Sequence, residues 1–164
     1  MTADELILAV LAGLPKHEVR GKKRLQKLAF FVKQAGVECD ASFRLWDYGP
    51  FSVEIAKAAD WLAALEKINE QTAQLGELNT FMTIYSMPRD NTKACDLLGS
   101  TPKQFLQFLD GYSTIELEVA ATIRYFENQG LPKEAAVKQT KQMKPTKTTP
   151  VVLERSNEII QQLS

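Results

Sequence analysis

Four basic side chains lie close together in the sequence at Lys22, Lys23, Arg24 and Lys27. Cations at this density could neutralise several phosphates of a nucleic acid, and such binding would weaken steeply as the salt concentration rises. The same pattern is also typical of the solvated face of an ordinary helix. The sequence leaves both interpretations open, and we treat these residues as a candidate nucleic-acid contact.

A second basic cluster comprises Lys138, Lys141, Lys144 and Lys147 in the C-terminal third of the chain. Lys138 and Lys141 are three residues apart and therefore neighbours on one predicted helix. Hydroxyl groups of the threonine-rich connector that follows could add phosphate contacts. The alternative is a solvated helix with lysines favourably placed near its C-terminal end.

The net charge of zero hides an uneven distribution of charges. Residues 16–33 hold seven basic and one acidic residue, and residues 133–155 hold six basic and two acidic ones, which leaves −10 for the rest. Overall neutrality argues mildly against a dedicated nucleic-acid binder, whereas two basic regions in an acidic body allow localised contacts.

The residue types needed for catalysis or metal binding are sparse. The chain has one histidine, His17, and two distant cysteines, Cys39 and Cys95, whereas a structural zinc site needs about four N or S ligands at close spacing. It has no glycine-rich phosphate loop and no Gly-x-Ser-x-Gly motif. We therefore expect two free thiols, no metal or cofactor, and no enzymatic activity.

Phe30 is out of place on the predicted second helix because it projects among polar residues, away from the apolar face of Leu25, Leu28 and Val32. Either that helix is covered on both sides, or Phe30 belongs to a surface that contacts a partner. Because large aromatic side chains are rarely fully exposed, burial is favoured. Phe30 stays a candidate partner-binding residue.

Composition predicts a cytoplasmic protein. The chain has 164 residues, of which 45% are hydrophobic and 24% charged, as in ordinary soluble domains. Its apolar runs are far shorter than the roughly 20 residues that cross a bilayer. Acidic residues at the N-terminus, Asp4 and Glu5, stand where a signal peptide has basic ones. We expect no membrane contact.

Hydrophobic periodicity supplies the elements that would position these side chains. Helices are predicted over residues 2–14, 21–35 and 51–65, the last beginning at Gly49-Pro50 after a short strand at 43–46. Two extended segments, 67–73 and 78–87, are separated by Leu75-Gly76 and predict a hairpin. Helix, helix, strand, helix and hairpin is the order of a winged helix-turn-helix.

The rest of the chain has helical patterning only, with helices predicted to begin near residues 101, 113, 132 and 150. We predict a mainly α fold with a small β-hairpin, divided into a winged-helix-like domain at 1–88 and a helical C-terminal domain at 89–164 that packs on it.

Several motifs are similar to those of a known group of proteins. The segments RLQKL at 24–28 and YGPFS at 48–52 resemble the LQK-L and YGP-[YF]-S pattern of the YwgA-like proteins of bacteria and archaea. A distant similarity extends to the Panacea, or SocA-like antitoxin, domain. LEVAATIRY at 117–125 and Lys144-Pro145 match further parts of the pattern.

The resemblance implies a winged-helix-like fold without catalysis, in a regulator, antitoxin or defence-associated protein. The helix over 51–65 supports a protein partner, since its polar residues include Glu54, Lys57 and Asp60 and would suit the DNA major groove poorly. Our first hypothesis is therefore a non-enzymatic protein that binds a partner or its own copy. The alternatives are a DNA-binding regulator and, more weakly, a nucleic-acid-processing enzyme.

Overall fold

A computed structural model describes residues 1–77, 79–88 and 92–163. The described chain is mainly helical, as the sequence predicts, and it carries two small antiparallel sheets where the sequence predicted one hairpin. The helices are α1 (Ala3–Gly13), α2 (Lys22–Gln34), α3 (Val53–Ala64), α4 (Ser100–Leu109), α5 (Thr114–Asn128), α6 (Lys133–Met143) and α7 (Pro150–Gln162). The strands are β1 (Glu18–Arg20), β2 (Arg44–Trp46), β3 (Gly49–Phe51), β4 (Asn69–Leu75) and β5 (Thr80–Ser86), and a 3-10 helix covers Thr92–Leu98.

Helix α2 lies at the centre of the molecule. Eight consecutive residues, 25–32, are buried, because α1, α3, α4, α5 and β3 all pack around the helix. Phe30 is only 2% exposed and makes edge-to-face contacts with Phe31 and Phe43, each at 5.4 Å between ring centroids. The partner-contact hypothesis for Phe30 is thus corrected: its side chain belongs to the core, since a second layer covers the polar-looking face of α2.

The larger sheet has the strand order β1-β5-β4. Strands β4 and β5 form the predicted hairpin, in which Asn69 pairs with Ser86 and Leu75 pairs with Thr80. Gly76 in the turn has φ +65°, which favours glycine. Strand β1 was not predicted, because three residues are too short to show an alternating pattern.

Strands β2 and β3 form a second hairpin in which Leu45 pairs with Pro50. The sequence predicted a helix over 51–65 with Pro50 at its first turn, and this is wrong at the boundary. Gly49–Phe51 is extended instead, and α3 begins at Val53 after Ser52, whose hydroxyl group accepts a hydrogen bond from the Ile55 amide. A serine N-cap holds the helix start more directly than a preceding proline does.

The C-terminal helices follow the predicted order. Helix α5 begins with a capping box between Ser113 and Glu116, and α7 begins with Pro150 in its first turn. The 3-10 helix ahead of α4 was not predicted. Buried apolar residues on both sides of residue 88 form one contiguous cluster, in which α2 packs against α5. The division into domains at residue 88 stays a prediction.

The structure also bears on membrane crossing and on the cysteines. No helix in the described part of the chain is long and apolar enough to cross a bilayer. Cys39 is a free thiol, whereas the side chain of Cys95 and the predicted strand residue Leu78 lie outside the described residues.

Candidate functional site: an aromatic groove over a buried lysine cluster

Lys27 is buried although the sequence suggested a phosphate contact. Its residue is 1% exposed, and its ammonium group donates a hydrogen bond to the carbonyl oxygen of Pro50 at 2.8 Å. Burial lowers the pKa of Lys27 to about 8, an effect that nearby Glu118 opposes. Lys27 therefore joins α2 to the β2–β3 hairpin and is not available to a nucleic acid.

The neighbouring Gln26 binds the backbone of Ser52, directly after the same hairpin. Its side-chain amide donates to the carbonyl oxygen of Ser52 at 3.0 Å and accepts from the Ser52 amide at 2.9 Å. Both partners are buried, so the two hydrogen bonds satisfy backbone groups that water cannot reach. Together Gln26 and Lys27 fix the segment that leads into α3.

Helix α5 supplies the only acidic residue that the described chain places in this buried cluster, Glu118. Its carboxylate pairs with Lys147 at 2.9 Å and with Lys144 at 3.7 Å, and its side chain is 4% exposed. Lys144 also donates to the carbonyl oxygen of Asp47 at 2.7 Å, which ties the α6–α7 connector to the β2–β3 turn. Burial lowers the pKa of Lys144 as well.

Gly49 allows the hairpin to approach α5 closely. It has φ +89°, and a Cβ atom at this position would lie 2.8 Å from Oγ1 of Thr122 and 3.5 Å from the backbone oxygen of Glu118. No side chain fits there without movement. The motifs RLQKL, YGPFS and LEVAATIRY therefore lie against one another, and their contacts hold the β2–β3 hairpin between α2 and α5.

A groove of about 680 Å³ opens between α2, the β2–β3 hairpin, α3 and Tyr85. Its wall on the hairpin side is aromatic: the rings of Trp46 and Phe51 stack at 4.3 Å, and Trp46 and Tyr48 are 53% and 47% exposed. The volume is typical of ligand-binding clefts. The lining residues are Lys22, Lys23, Leu25, Gln26, Lys27, Leu45, Trp46, Asp47, Tyr48, Gly49, Phe51, Ile55, Ala56, Ala59, Asp60 and Tyr85.

The N-terminal turn of α2 forms the basic side of the groove. Lys22 and Lys23 are exposed, and the ammonium group of Lys23 lies 3.3 Å from the centroid of the Tyr48 ring. Lys147 approaches the same ring at 4.8 Å. Cation–π contacts of this kind hold Tyr48 over the groove.

The structure separates the remaining predicted site residues. Arg24 is half-buried and donates to the carbonyl oxygen of Asp110 at 3.2 Å, so it fastens α2 to the end of α4. Lys138 and Lys141 are exposed on α6. The predicted cluster of four C-terminal lysines is thus divided: two lysines are at the surface and two, Lys144 and Lys147, pair with Glu118.

The aromatic residues Trp46, Tyr48 and Phe51 were not predicted as site residues. Their positions on either side of the Gly49-Pro50 turn were visible in the sequence, and three aromatic residues within six positions around a turn are the signal that could have identified them. Among the described residues, no group of three or more His, Cys, Asp or Glu side chains is arranged to hold a metal ion.

No protein-family model matches this chain, and comparisons with curated proteins and with solved structures also give no match. The similarity to the YwgA-like proteins and to the Panacea domain therefore stays a prediction from the motifs.

Proposed function

We propose that the protein is a non-enzymatic cytoplasmic regulator that binds a segment of a protein partner in the groove. The observation that carries this proposal is the aromatic wall formed by the exposed Trp46 and Tyr48 and the half-buried Phe51. Tryptophan and tyrosine are enriched among residues that dominate binding energy at protein interfaces. Trp46 and Phe51 already stack on each other without a partner, and a preformed contact surface of this kind reduces the entropy lost on association.

The order of elements supports a winged helix-turn-helix-like unit as the scaffold. Helix, strand, two helices and a hairpin follow in sequence, and the strand order β1-β5-β4 places the first strand beside the last. The β2–β3 hairpin is an addition between α2 and α3, and it builds the aromatic wall. In this interpretation the addition converts a nucleic-acid-binding scaffold into a protein-binding one.

The partner is to be identified by site-specific photo-crosslinking in cells that express the protein natively, with the crosslinker at Tyr48. The purified partner is then titrated against three forms: the wild type, Trp46→Ala and Trp61→Ala. Trp61 is a matched control because it is 58% exposed and does not line the groove. We expect Trp46→Ala to weaken binding at least about tenfold and Trp61→Ala to leave it within about twofold. Equal effects of the two substitutions, or no crosslink from Tyr48, would overturn the proposal.

DNA binding is the second candidate, and the observation that favours it is the exposure of Lys22, Lys23, Lys138 and Lys141. The surface of α3 gives it little support, since Lys57 there is accompanied by Asp60 and Glu54, and Glu54 accepts hydrogen bonds from Ser42. A gel-shift titration at about 50 mM salt decides between the candidates, because phosphate contacts are strongest at low ionic strength. We expect no discrete shift with duplex DNA.

A further inference from the structure

The basic and the acidic residues that line the groove lie on different walls. Helix α2 contributes Lys22 and Lys23 at the rim and Lys27 at the base, whereas Asp47 and Asp60 lie on the turn and on α3. The positive charge is therefore confined to the α2 side. A ligand that lies along the groove would meet Lys22 and Lys23 on the α2 side and the Trp46 and Phe51 rings on the hairpin side. Tyr48 lies between the two sides, in contact with Lys23.

The start of α2 is unusual for a helix. Its first turn contains Lys22, Lys23 and Arg24 and no acidic residue, and the N-cap Gly21 offers no side-chain hydrogen bond. Cations at a helix N-terminus are unfavourable because the helix dipole is positive at that end. Negative charge placed against this turn would relieve the repulsion.

The protein itself supplies little negative charge to this side. The carboxylate of Glu118 already pairs with Lys144 and Lys147, two lysines outside α2, and among the described residues it forms no ion pair with the α2 lysines. Within the described chain, the Lys27 ammonium donates to a single acceptor, Pro50, although it carries three N–H groups. The lining thus holds three lysines, all on α2, against the two aspartates Asp47 and Asp60 on other elements, so the α2 side keeps a positive surplus.

We propose that the groove takes an acidic segment of the protein partner, in which an aromatic or large aliphatic residue has one or two Asp or Glu residues on each side. The apolar residue packs against Trp46 and Phe51, and the carboxylates face Lys22 and Lys23. This inference rests on the proposed function and adds the chemistry of the bound segment. Complementary charge fixes the orientation of the segment and increases its association rate.

The probe is a blocked synthetic peptide, acetyl-Asp-Glu-Phe-Glu-Leu-amide, titrated into isotope-labelled protein and followed by two-dimensional NMR. Its matched control has each acid replaced by the corresponding amide. We expect the acidic peptide to bind at least about tenfold more tightly than the amide peptide and to shift the backbone signals of Trp46, Tyr48 and Gly49. Raising the salt concentration should reduce this preference.

Two double variants separate the α2 wall from other surface lysines. Lys22→Ala with Lys23→Ala should weaken binding of the acidic peptide about fivefold or more, whereas Lys138→Ala with Lys141→Ala, a pair that is also exposed, on α6, should leave it unchanged. Thermal unfolding of both double variants checks that neither has lost its fold.

Equal affinity for the acidic and amide peptides, or equal effects of the two double variants, would overturn the inference. If neither peptide binds while a natural partner still depends on Trp46, the inference fails and the proposed function stands. If the acidic peptide binds as expected but no partner depends on Trp46, the proposed function fails instead.

Discussion

The ammonium group of Lys27 donates a hydrogen bond to the carbonyl oxygen of Pro50 at 2.8 Å, and this contact joins the middle of α2 to β3 inside the protein. A buried cation is costly unless it is paired, and Lys27 gains only partial compensation from Glu118. The contact therefore positions the hairpin that forms the aromatic wall. Burying the charged ammonium costs free energy, and this cost disappears when Lys27 loses its proton.

Stability should rise with pH through the Lys27 titration. Because the pKa of Lys27 falls from 10.5 in the unfolded chain to about 8 in the folded one, the unfolded chain binds more protons between these values. The free energy of unfolding of the wild type should therefore increase relative to that of Lys27→Met between about pH 8 and pH 10. The charged groups that act on Lys27 are Glu118, Lys144, Lys23 and Lys147.

Urea denaturation of both proteins at pH 7 and pH 9.5 measures this difference. Burial raises the pKa of Tyr85 and Tyr112 to about 12, so the unfolded chain loses these protons first, from near pH 10. Both proteins contain the two tyrosines, and this contribution cancels in the difference between them. A difference that stays constant with pH would show that Lys27 is not the titrating group.

Glu118→Gln should destabilise the protein by about 3 kcal/mol, because it removes the counter-charge of the buried Lys144 and leaves that ammonium unpaired. The control is Glu18→Gln, which breaks the exposed pair with Arg20 and should change the free energy of unfolding by less than about 0.5 kcal/mol. Chemical denaturation at pH 7 measures both. Similar small losses in the two variants would mean that the buried cluster contributes nothing to stability.

Gly49→Ala should cost about 2 kcal/mol or more, since alanine is strained at φ +89° and its Cβ atom would lie 2.8 Å from Thr122 Oγ1. Gly130→Ala is the matched control, because Gly130 has φ +98° but no atom within 4 Å of the added Cβ. Thermal and urea unfolding of the two variants separate backbone strain from steric conflict. Equal losses would show that α5 yields easily to the extra methyl group.

Phe30→Ala should lower the free energy of unfolding by about 3 kcal/mol or more, because it opens a cavity next to Phe31 and Phe43. Phe81→Ala should have almost no effect, since Phe81 is 62% exposed. Urea denaturation measures both variants. A stable Phe30→Ala protein would be inconsistent with the core position of this ring.

Local patterns in the sequence were sufficient for most helices. Periodic apolar residues and helix caps depend on neighbours within a few residues, and the structure shows this in the capping boxes of Thr2 with Glu5 and of Ser113 with Glu116. The hairpin of β4 and β5 was visible for the same reason. Strand β1 was missed because it has three residues and pairs with the distant β5, whereas β3 was missed because Gly49-Pro50 was interpreted as the start of a helix.

The candidate site could be predicted only in part. The sequence by itself determined that basic residues cluster at residues 22–27 and 138–147 and that a turn follows Trp46. Only the tertiary structure decided which cations reach solvent, because Lys27 is buried by a contact 23 residues away and Lys144 by one 97 residues away. Helical periodicity describes the faces of a single helix, whereas the burial of a charge depends on distant segments that supply its partners.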